Sequence, residues 1–210
     1  SRPLHQLAGE LVQGARPNAP REDVFRIADV IAEREPDVLV AVGGGSGIDA
    51  VKAAAAFATL RDVYPNFDDY FGVGHVSKML AETGRSLPPV VAAQTAAGSA
   101  AHLTKYANIT DVEHAQKLVI VDESVVPRRA VFDYALTRSM SRGFTLDGAL
   151  DGVAHCLEVL YGATGEVLEA AREPALLAEL RKETGALPEA NMQIAPEQGQ
   201  FMALLRGDLH

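Results

Sequence analysis

The amino-acid sequence predicts an α/β domain over residues 1–140, followed by a helical region over residues 141–210. Three observations predict this arrangement. A continuous apolar run, Val38–Val42, is typical of a parallel strand that is buried on both faces. A glycine triplet follows that run directly, and the alanine-rich stretch Ile48–Leu60 then has the composition of a buried helix. From Thr145 onward, apolar residues recur at helical spacing.

The other elements follow from local patterns. The spacing of apolar residues predicts that Leu4–Val12 is the end of a helix. It also predicts an amphipathic helix over Glu22–Glu35, whose first turn is acidic. The segment Pro17–Pro20 separates these two helices as a loop. Further predictions are strands at Pro88–Ala93, Lys117–Asp122 and Ala130–Asp133, an irregular stretch with a short helix at Asn66–Arg85, and helices at Val167–Lys182 and Gln200–Leu205.

Composition and charge narrow the function classes. The formal net charge is -9 and no basic run occurs, which argues against a nucleic-acid partner. The sequence has neither an apolar run of about 18 residues nor a signal-peptide pattern, so we expect no membrane partner and a cytoplasmic location. The single cysteine, Cys156, excludes an internal disulfide and a cysteine-based zinc site. Any metal must therefore use histidine and carboxylate ligands.

The glycine triplet Gly43–Gly45 is suited to binding a phosphate group. Glycine allows close approach of the backbone, and the amides and dipole at a helix start attract negative charge. The hydroxyl of Ser46 adds a donor. A purely structural turn is the alternative, because glycine-rich turns between a strand and a helix are common.

The longer string Val42–Lys52 resembles GGGSxxDxxK, the signature of the iron-containing alcohol dehydrogenases. Related glycerol, glycerol-phosphate and dehydroquinate-synthase enzymes share the shorter form GGGxxxD. The resemblance implies that Gly44, Gly45 and Ser46 hold the pyrophosphate of NAD or NADP, and that Asp49 lies close to the nicotinamide. Without the resemblance, Asp49 and Lys52 would be interpreted as a pair of helix-surface charges.

A second segment, Gln94–Thr104, resembles the PTTxGTGSExT segment of the same family. The resemblance implies that Thr95 and Ser99 offer hydroxyls to the dinucleotide and that Lys117 contacts the cofactor. Three positions depart from the pattern: Gln94 replaces proline, Ala100 replaces glycine and His102 replaces the frequent glutamate. These departures indicate a divergent subgroup with its own substrate. His102 is interpreted either as a loop-surface histidine or as a substrate contact.

A third segment, Asp151–Glu158, is similar to the family motif DAxxHxxE. Side chains at i and i+4 of a helix lie on one face, about 6 Å apart at Cβ, so one divalent ion can join them. The resemblance implies that Asp151 and His155 are two ligands of an Asp-His-His-His site for Fe(II) or Zn(II). The alternative is a helix-capping aspartate and a buried histidine with satisfied hydrogen bonds.

The resemblance is incomplete. The two further histidines of the family site are missing, since His210 is the only histidine after His155. Residues 15–162 match the family well and residues 167–210 loosely, with a large helical section missing between them. We expect that the sequence joins pieces of a longer protein; a truncated protein is the alternative.

The family resemblance implies a Rossmann-like parallel-sheet domain followed by an all-α domain, the dehydroquinate-synthase-like architecture, here incomplete. It implies a metal-dependent oxidoreductase that interconverts an alcohol and an aldehyde or ketone with NAD(P), and that forms a homodimer or larger homo-oligomer. A dehydroquinate-synthase-like or glycerol(-phosphate) dehydrogenase enzyme is one alternative. A truncated nucleotide-binding protein without activity is another.

Overall fold

The structure is a computed structural model that describes residues 9–162, without the side chains of residues 134 and 156–162. Contacts divide the chain into two compact units between Thr145 and Leu146. The helices are α1 (Arg21–Arg34), α2 (Gly45–Leu60), α3 (His75–Thr83) and α4 (Arg142–Gly162). The strands are β1 (Leu39–Gly43), β2 (Gly72–Val73), β3 (Val90–Gln94), β4 (Tyr106–Asp111), β5 (Gln116–Val121) and β6 (Arg129–Val131).

The first sheet contains three parallel strands in the order β1-β3-β6. In its register Ala41 lies beside Ala92, and Ala92 lies beside Ala130. Because all three strands run in one direction, their carboxyl ends meet at one edge. Ligands of open parallel sheets bind at this edge. The predicted parallel α/β fold is confirmed.

One face of this sheet is covered and the other is open in the described part of the chain. Ala41 and Ala92 are buried in a cluster with Ile48 of α2. On the opposite face of β1, Val40 and Val42 are each 64% exposed. The prediction of a strand buried on both faces is therefore wrong for the described residues, because apolar composition alone does not reveal which elements cover a strand.

The second sheet has the order β2-β5-β4, and β4 pairs with β5 as an antiparallel hairpin. The sequence predicted β5 but not β4. Along β4 the buried residues Ala107 and Ile109 alternate with polar or exposed ones, whereas β5 is a more continuous apolar run. In the register of the hairpin Thr110 lies opposite Lys117.

Helices α1 and α2 pack together around the main core. The run Ala53–Ala56 of α2 is buried, and its small side chains allow neighbouring elements to approach closely. Five aromatic rings extend this core, with centroid separations of 5.0 to 5.6 Å: Phe25, Phe57, Phe67, Tyr70 and Phe71. Burial of such rings contributes about 2 kcal/mol each. The prediction of α2 as a buried helix is confirmed.

Other helix predictions have mixed outcomes. The helix at Glu22–Glu35 is confirmed as α1. The helix predicted over Leu4–Val12 is wrong for its described part, because residues 9–12 are not helical. The helices predicted at Val167–Lys182 and Gln200–Leu205 lie outside the described residues. None of the helices that the structure describes is long and apolar enough to cross a bilayer.

Candidate functional site

The glycine loop connects β1 directly to α2 at the carboxyl edge of the first sheet. Gly44 is the N-cap residue of α2, and its carbonyl accepts the first helical hydrogen bond, from Ile48 N–H at 3.2 Å. The amides of Gly45, Ser46 and Gly47 precede that bond, so no carbonyl of the helix can accept from them. The start of this 16-residue helix is therefore a suitable site for an anion.

A turn near the start of the chain holds the hydroxyl of Ser46. The Asn18 amide donates to Ser46 Oγ at 3.0 Å, and Thr110 Oγ1 donates to the Asn18 carbonyl at 2.7 Å. Asn18 adopts a left-handed backbone, with φ 68°, which asparagine tolerates better than most residues. Since Ser46 Oγ accepts from Asn18, its own proton remains available for a ligand oxygen.

The second predicted loop lies against the first. Thr95 N–H donates to the Gly43 carbonyl at 2.9 Å, which extends the β1–β3 pairing into both loops. A Cβ built on Gly45 would lie 2.6 Å from Ser99 Oγ and 2.9 Å from Ser99 Cβ. Glycine is therefore required at this position to let the loops approach. The structure brings Gly44, Gly45, Ser46, Thr95 and Ser99 to one edge of the sheet.

His102 lies at the end of the second loop and is 9% exposed. Its Nδ1 hydrogen-bonds with Gln94 Oε1, and its ring meets Phe132 edge-on at a centroid distance of 5.1 Å. Burial lowers the pKa of His102, and the nearby Lys52 ammonium lowers it further. The interpretation of His102 as a loop-surface histidine is wrong.

Asp49 and Lys52 form a buried pair on α2. Their exposed fractions are 5% and 0%, so the interpretation of them as helix-surface charges is wrong. Lys52 Nζ donates to the carbonyls of Thr104 and Tyr106 at 2.7 and 2.8 Å, and lies 3.6 Å from Asp49 Oδ1. Asp49 Oδ2 accepts from the Asn108 amide at 3.0 Å. The pair thus fixes α2 to the end of the second loop and to β4.

Burial shifts the titration of both members of this pair towards their neutral forms. It lowers the pKa of Lys52 to about 8, although the Asp49 carboxylate opposes the shift. It raises the pKa of Asp49, against the hydrogen bonds from Asn108 and the Lys52 charge. Within the described residues, Asp49 Oδ1 has no hydrogen-bond partner, so the ion pair is its main compensation.

Replacing Asp49 by asparagine is expected to destabilise the fold by about 2 kcal/mol, because it leaves the buried Lys52 ammonium uncompensated. Urea denaturation followed by circular dichroism measures this change. The matched control is Asp62→Asn, at an exposed carboxylate that pairs with Arg85, which should leave the unfolding midpoint nearly unchanged. Equal midpoints for the wild type and Asp49→Asn would disprove the structural role of the pair.

Lys117 pairs in the β4–β5 hairpin with Thr110, a residue that hydrogen-bonds to the turn holding Ser46. It lies opposite Thr110 in the β4–β5 hairpin, and directly opposed residues of antiparallel strands have Cβ atoms about 5 Å apart. Thr110 in turn binds Asn18, which binds Ser46. The side chain of Lys117 is exposed, so its ammonium is accessible to a ligand.

The predicted metal ligands lie on α4. His155 Nε2 and Asp151 Oδ1 are 3.6 Å apart, and both side chains are about half exposed, at 56% and 53%. The exposure does not support the alternative of a buried structural histidine. A single divalent ion can accept one donor atom from each side chain at this spacing. Among the side chains that the structure describes, no group of three or more potential metal ligands occurs, and His210 lies outside the described residues.

Comparison with known proteins identifies the family. Residues 3–134, more than half of the chain, match the sequence profile of the iron-containing alcohol dehydrogenases. The chain belongs to the iron-containing alcohol dehydrogenase family. This region includes the glycine loop and the second loop, whereas the Asp151/His155 pair lies beyond it.

Several alcohol dehydrogenases are similar in sequence. The NAD-dependent methanol dehydrogenase of Bacillus methanolicus is 33% identical over 152 residues, which are 71% of this chain and 37% of that protein. The NADPH-dependent butanol dehydrogenase of Clostridium saccharobutylicum is 31% identical over 155 residues, 74% of this chain and 38% of that protein. The chain therefore spans less than half the length of these relatives.

Solved structures of the family share the fold. The 1,3-propanediol oxidoreductase structure has a TM-score of 0.65 and 27% identity, covering 93% of this chain and 49% of that one. The NAD+ complex of sulfoacetaldehyde reductase from Bifidobacterium kashiwanohense has a TM-score of 0.62 and 25% identity, covering 92% and 49%. These matches agree with the Rossmann-like fold predicted for this member of the iron-containing alcohol dehydrogenase family.

Sequence reasoning missed two residues that support the loops. The sequence predicted only that Asn18 lies in the loop Pro17–Pro20. Its hydrogen bond to Ser46 joins positions 28 residues apart, which no local pattern reveals. Gln94 was noted only as a departure from the family pattern, although its side chain binds His102. The signal available for Asn18 was its position in the loop Pro17–Pro20, where asparagine favours a turn.

Proposed function

We propose that this chain is part of an NAD(P)-dependent and metal-dependent oxidoreductase that interconverts an alcohol and an aldehyde or ketone. The arrangement that carries the proposal is the pair of loops at the start of α2. Thr95 hydrogen-bonds to Gly43 and Ser99 lies against Gly45, so the second loop lies beside helix amides that have no acceptor within the helix. Family membership and the activities of the similar dehydrogenases support the same conclusion.

The proposed dinucleotide contacts come from three places in the α/β unit. Gly44, Gly45 and Ser46 would bind the pyrophosphate through backbone amides and the free Ser46 proton. The other proposed contacts are the hydroxyls of Thr95 and Ser99, the ammonium of Lys117, and Asp49, which the family resemblance places close to the nicotinamide and which is buried on α2.

Asp151 and His155 would hold two positions of a metal site for Fe(II) or Zn(II). Their one-turn spacing on α4 and their half-exposed side chains support this role. A divalent metal would supply a Lewis acid that stabilises the alkoxide form of the alcohol. The nicotinamide carries the hydride, so the contribution of this chain is to bind and orient these groups.

The proposed substrate is a small alcohol or carbonyl compound. We also propose a homodimer or larger homo-oligomer and a cytoplasmic location, for which the single cysteine Cys156 is suitable because it does not depend on an oxidising compartment. Light scattering coupled to size-exclusion chromatography measures the assembly directly.

The proposal is tested by a cofactor-reduction assay. The protein is supplied with Fe(II) or Zn(II) and incubated with NAD or NADP and a panel of small alcohols and hydroxy acids. The expected result is metal-dependent absorbance at 340 nm with at least one alcohol. Dinucleotide binding without turnover, in material whose metal content stays at background, would instead favour a nucleotide-binding protein without activity.

A further inference from the structure

Gln94 connects the second loop to His102 through both ends of its amide. It is the last residue of β3, directly before Thr95. Its Nε2 donates to the Ala96 carbonyl and to Ser99 Oγ, the latter at 3.3 Å, while its Oε1 faces His102 Nδ1. One side chain thus joins the beginning, middle and end of the loop.

The chemistry of these groups fixes the tautomer of His102. The other end of the Gln94 amide faces the Ala96 carbonyl, which can only accept, so the NH2 group must lie there and the atom that faces the imidazole is the acceptor Oε1. His102 Nδ1 must therefore carry a proton. The lowered pKa of His102 keeps the ring neutral near pH 7, so the lone pair resides on Nε2. Edge-on packing with Phe132 restricts rotation of the ring.

The position of Ser99 depends on the same network. Its Oγ accepts from the Ala101 amide at 3.3 Å as well as from Gln94. This serine occupies the space that a side chain at Gly45 would need. The end of the loop is fixed independently, because Lys52 Nζ binds the Thr104 carbonyl.

The geometry points to Gln94 and His102 as a positioning pair for the dinucleotide, which holds Ser99 against Gly45 and so sets the spacing of the two phosphate-side loops. This inference rests on the proposed nucleotide-binding function. Gln94 and His102 both differ from the residues that the family pattern has at these positions, and their side chains contact each other. Neither residue is proposed to react; each acts through the loop.

Three variants test the pair by isothermal titration with NADH and NADPH. His102→Phe keeps the ring but removes the Nδ1 donor, and Gln94→Met removes the amide; each should raise Kd by about tenfold. The double variant should be no weaker than Gln94→Met alone, because the contact that His102→Phe removes is already lost in Gln94→Met. His102→Asn places an amide N–H near the Nδ1 position, and should bind within about twofold of the wild type.

The matched control is His75→Phe, since His75 Nδ1 also hydrogen-bonds, to the Asp69 carbonyl at 3.0 Å, but on α3. This variant should leave Kd unchanged. An unchanged Kd for His102→Phe, or additive losses of binding free energy in the double variant, would overturn the proposed positioning role of the pair. Loss of binding in both His102→Phe and His102→Asn would also contradict it, because the donor would not be the property that matters.

A ligand-free measurement separates this inference from the proposed function. Nitrogen-15 spectra of the wild type should show His102 protonated on Nδ1, and amide exchange at Ser99 and Ala101 should accelerate in His102→Phe. If the wild type binds neither dinucleotide, the proposed function fails, while the exchange result still decides whether the pair orders the loop. Protonation of the neutral ring on Nε2, or unchanged amide exchange at Ser99 and Ala101 in His102→Phe, would overturn the proposed role of the pair.

Discussion

Replacing Gly45 by alanine is expected to weaken NAD(P)H binding by at least about thirtyfold, or about 2 kcal/mol. The new Cβ would overlap Ser99, whose Cβ belongs to the loop itself and cannot rotate away. The two loops must therefore separate, which disrupts the proposed phosphate site at the start of α2. Titration of the protein with each reduced dinucleotide, followed by nicotinamide fluorescence, measures the loss.

Two further variants make this result specific. No described protein atom outside the neighbouring backbone lies within 4 Å of a Cβ built on Gly47, so Gly47→Ala should bind normally although it changes the same first turn of α2. Gly45→Ala combined with Ser99→Gly removes the overlap, and should recover the thermal stability lost in the single variant. Normal binding by Gly45→Ala would show that the loops need not be in contact to hold the ligand.

Replacing His155 by alanine is expected to reduce metal-dependent turnover by at least about a thousandfold, which corresponds to about 4 kcal/mol of transition-state stabilisation. Dinucleotide Kd should stay within about twofold, because the glycine loop is unchanged. Initial rates with a saturating alcohol, together with metal content by mass spectrometry, measure both consequences.

The control for this variant is His114→Ala, which removes an exposed imidazole that binds Asp111 in the β4–β5 turn. It should retain turnover and metal content. If His155→Ala keeps wild-type turnover and metal, then the Asp151/His155 pair is not a metal site, and the alternative of a structural pair on α4 is favoured.

Local patterns predicted the elements that form the site. The apolar run of β1, the glycine triplet and the alanine-rich α2 are consecutive in sequence, so strand, loop and helix could be inferred without tertiary information. Family motifs then added Thr95, Ser99 and Lys117. The Asp151/His155 pair also came from the family resemblance, with helical spacing placing both side chains on one face, and the structure places Asp151 Oδ1 and His155 Nε2 3.6 Å apart.

Contacts between distant segments could not be predicted in the same way. Charge alone indicated that Asp49 and Lys52 would face solvent, but the carbonyls of Thr104 and Tyr106 hold Lys52 in the interior. His102 likewise depends on a partner eight residues away. The open face of β1 was missed because an apolar strand does not specify which elements cover it.

The most direct test of the central claim is an amide titration by nitrogen-15 NMR with NADH and NADPH. If the dinucleotide phosphates bind at the start of α2, the largest shifts will occur at the amides of Gly45, Ser46 and Gly47, with smaller shifts at Thr95 and Ser99. Shifts concentrated elsewhere, or none with either dinucleotide at millimolar concentration, would contradict the assignment of this loop as the nucleotide site.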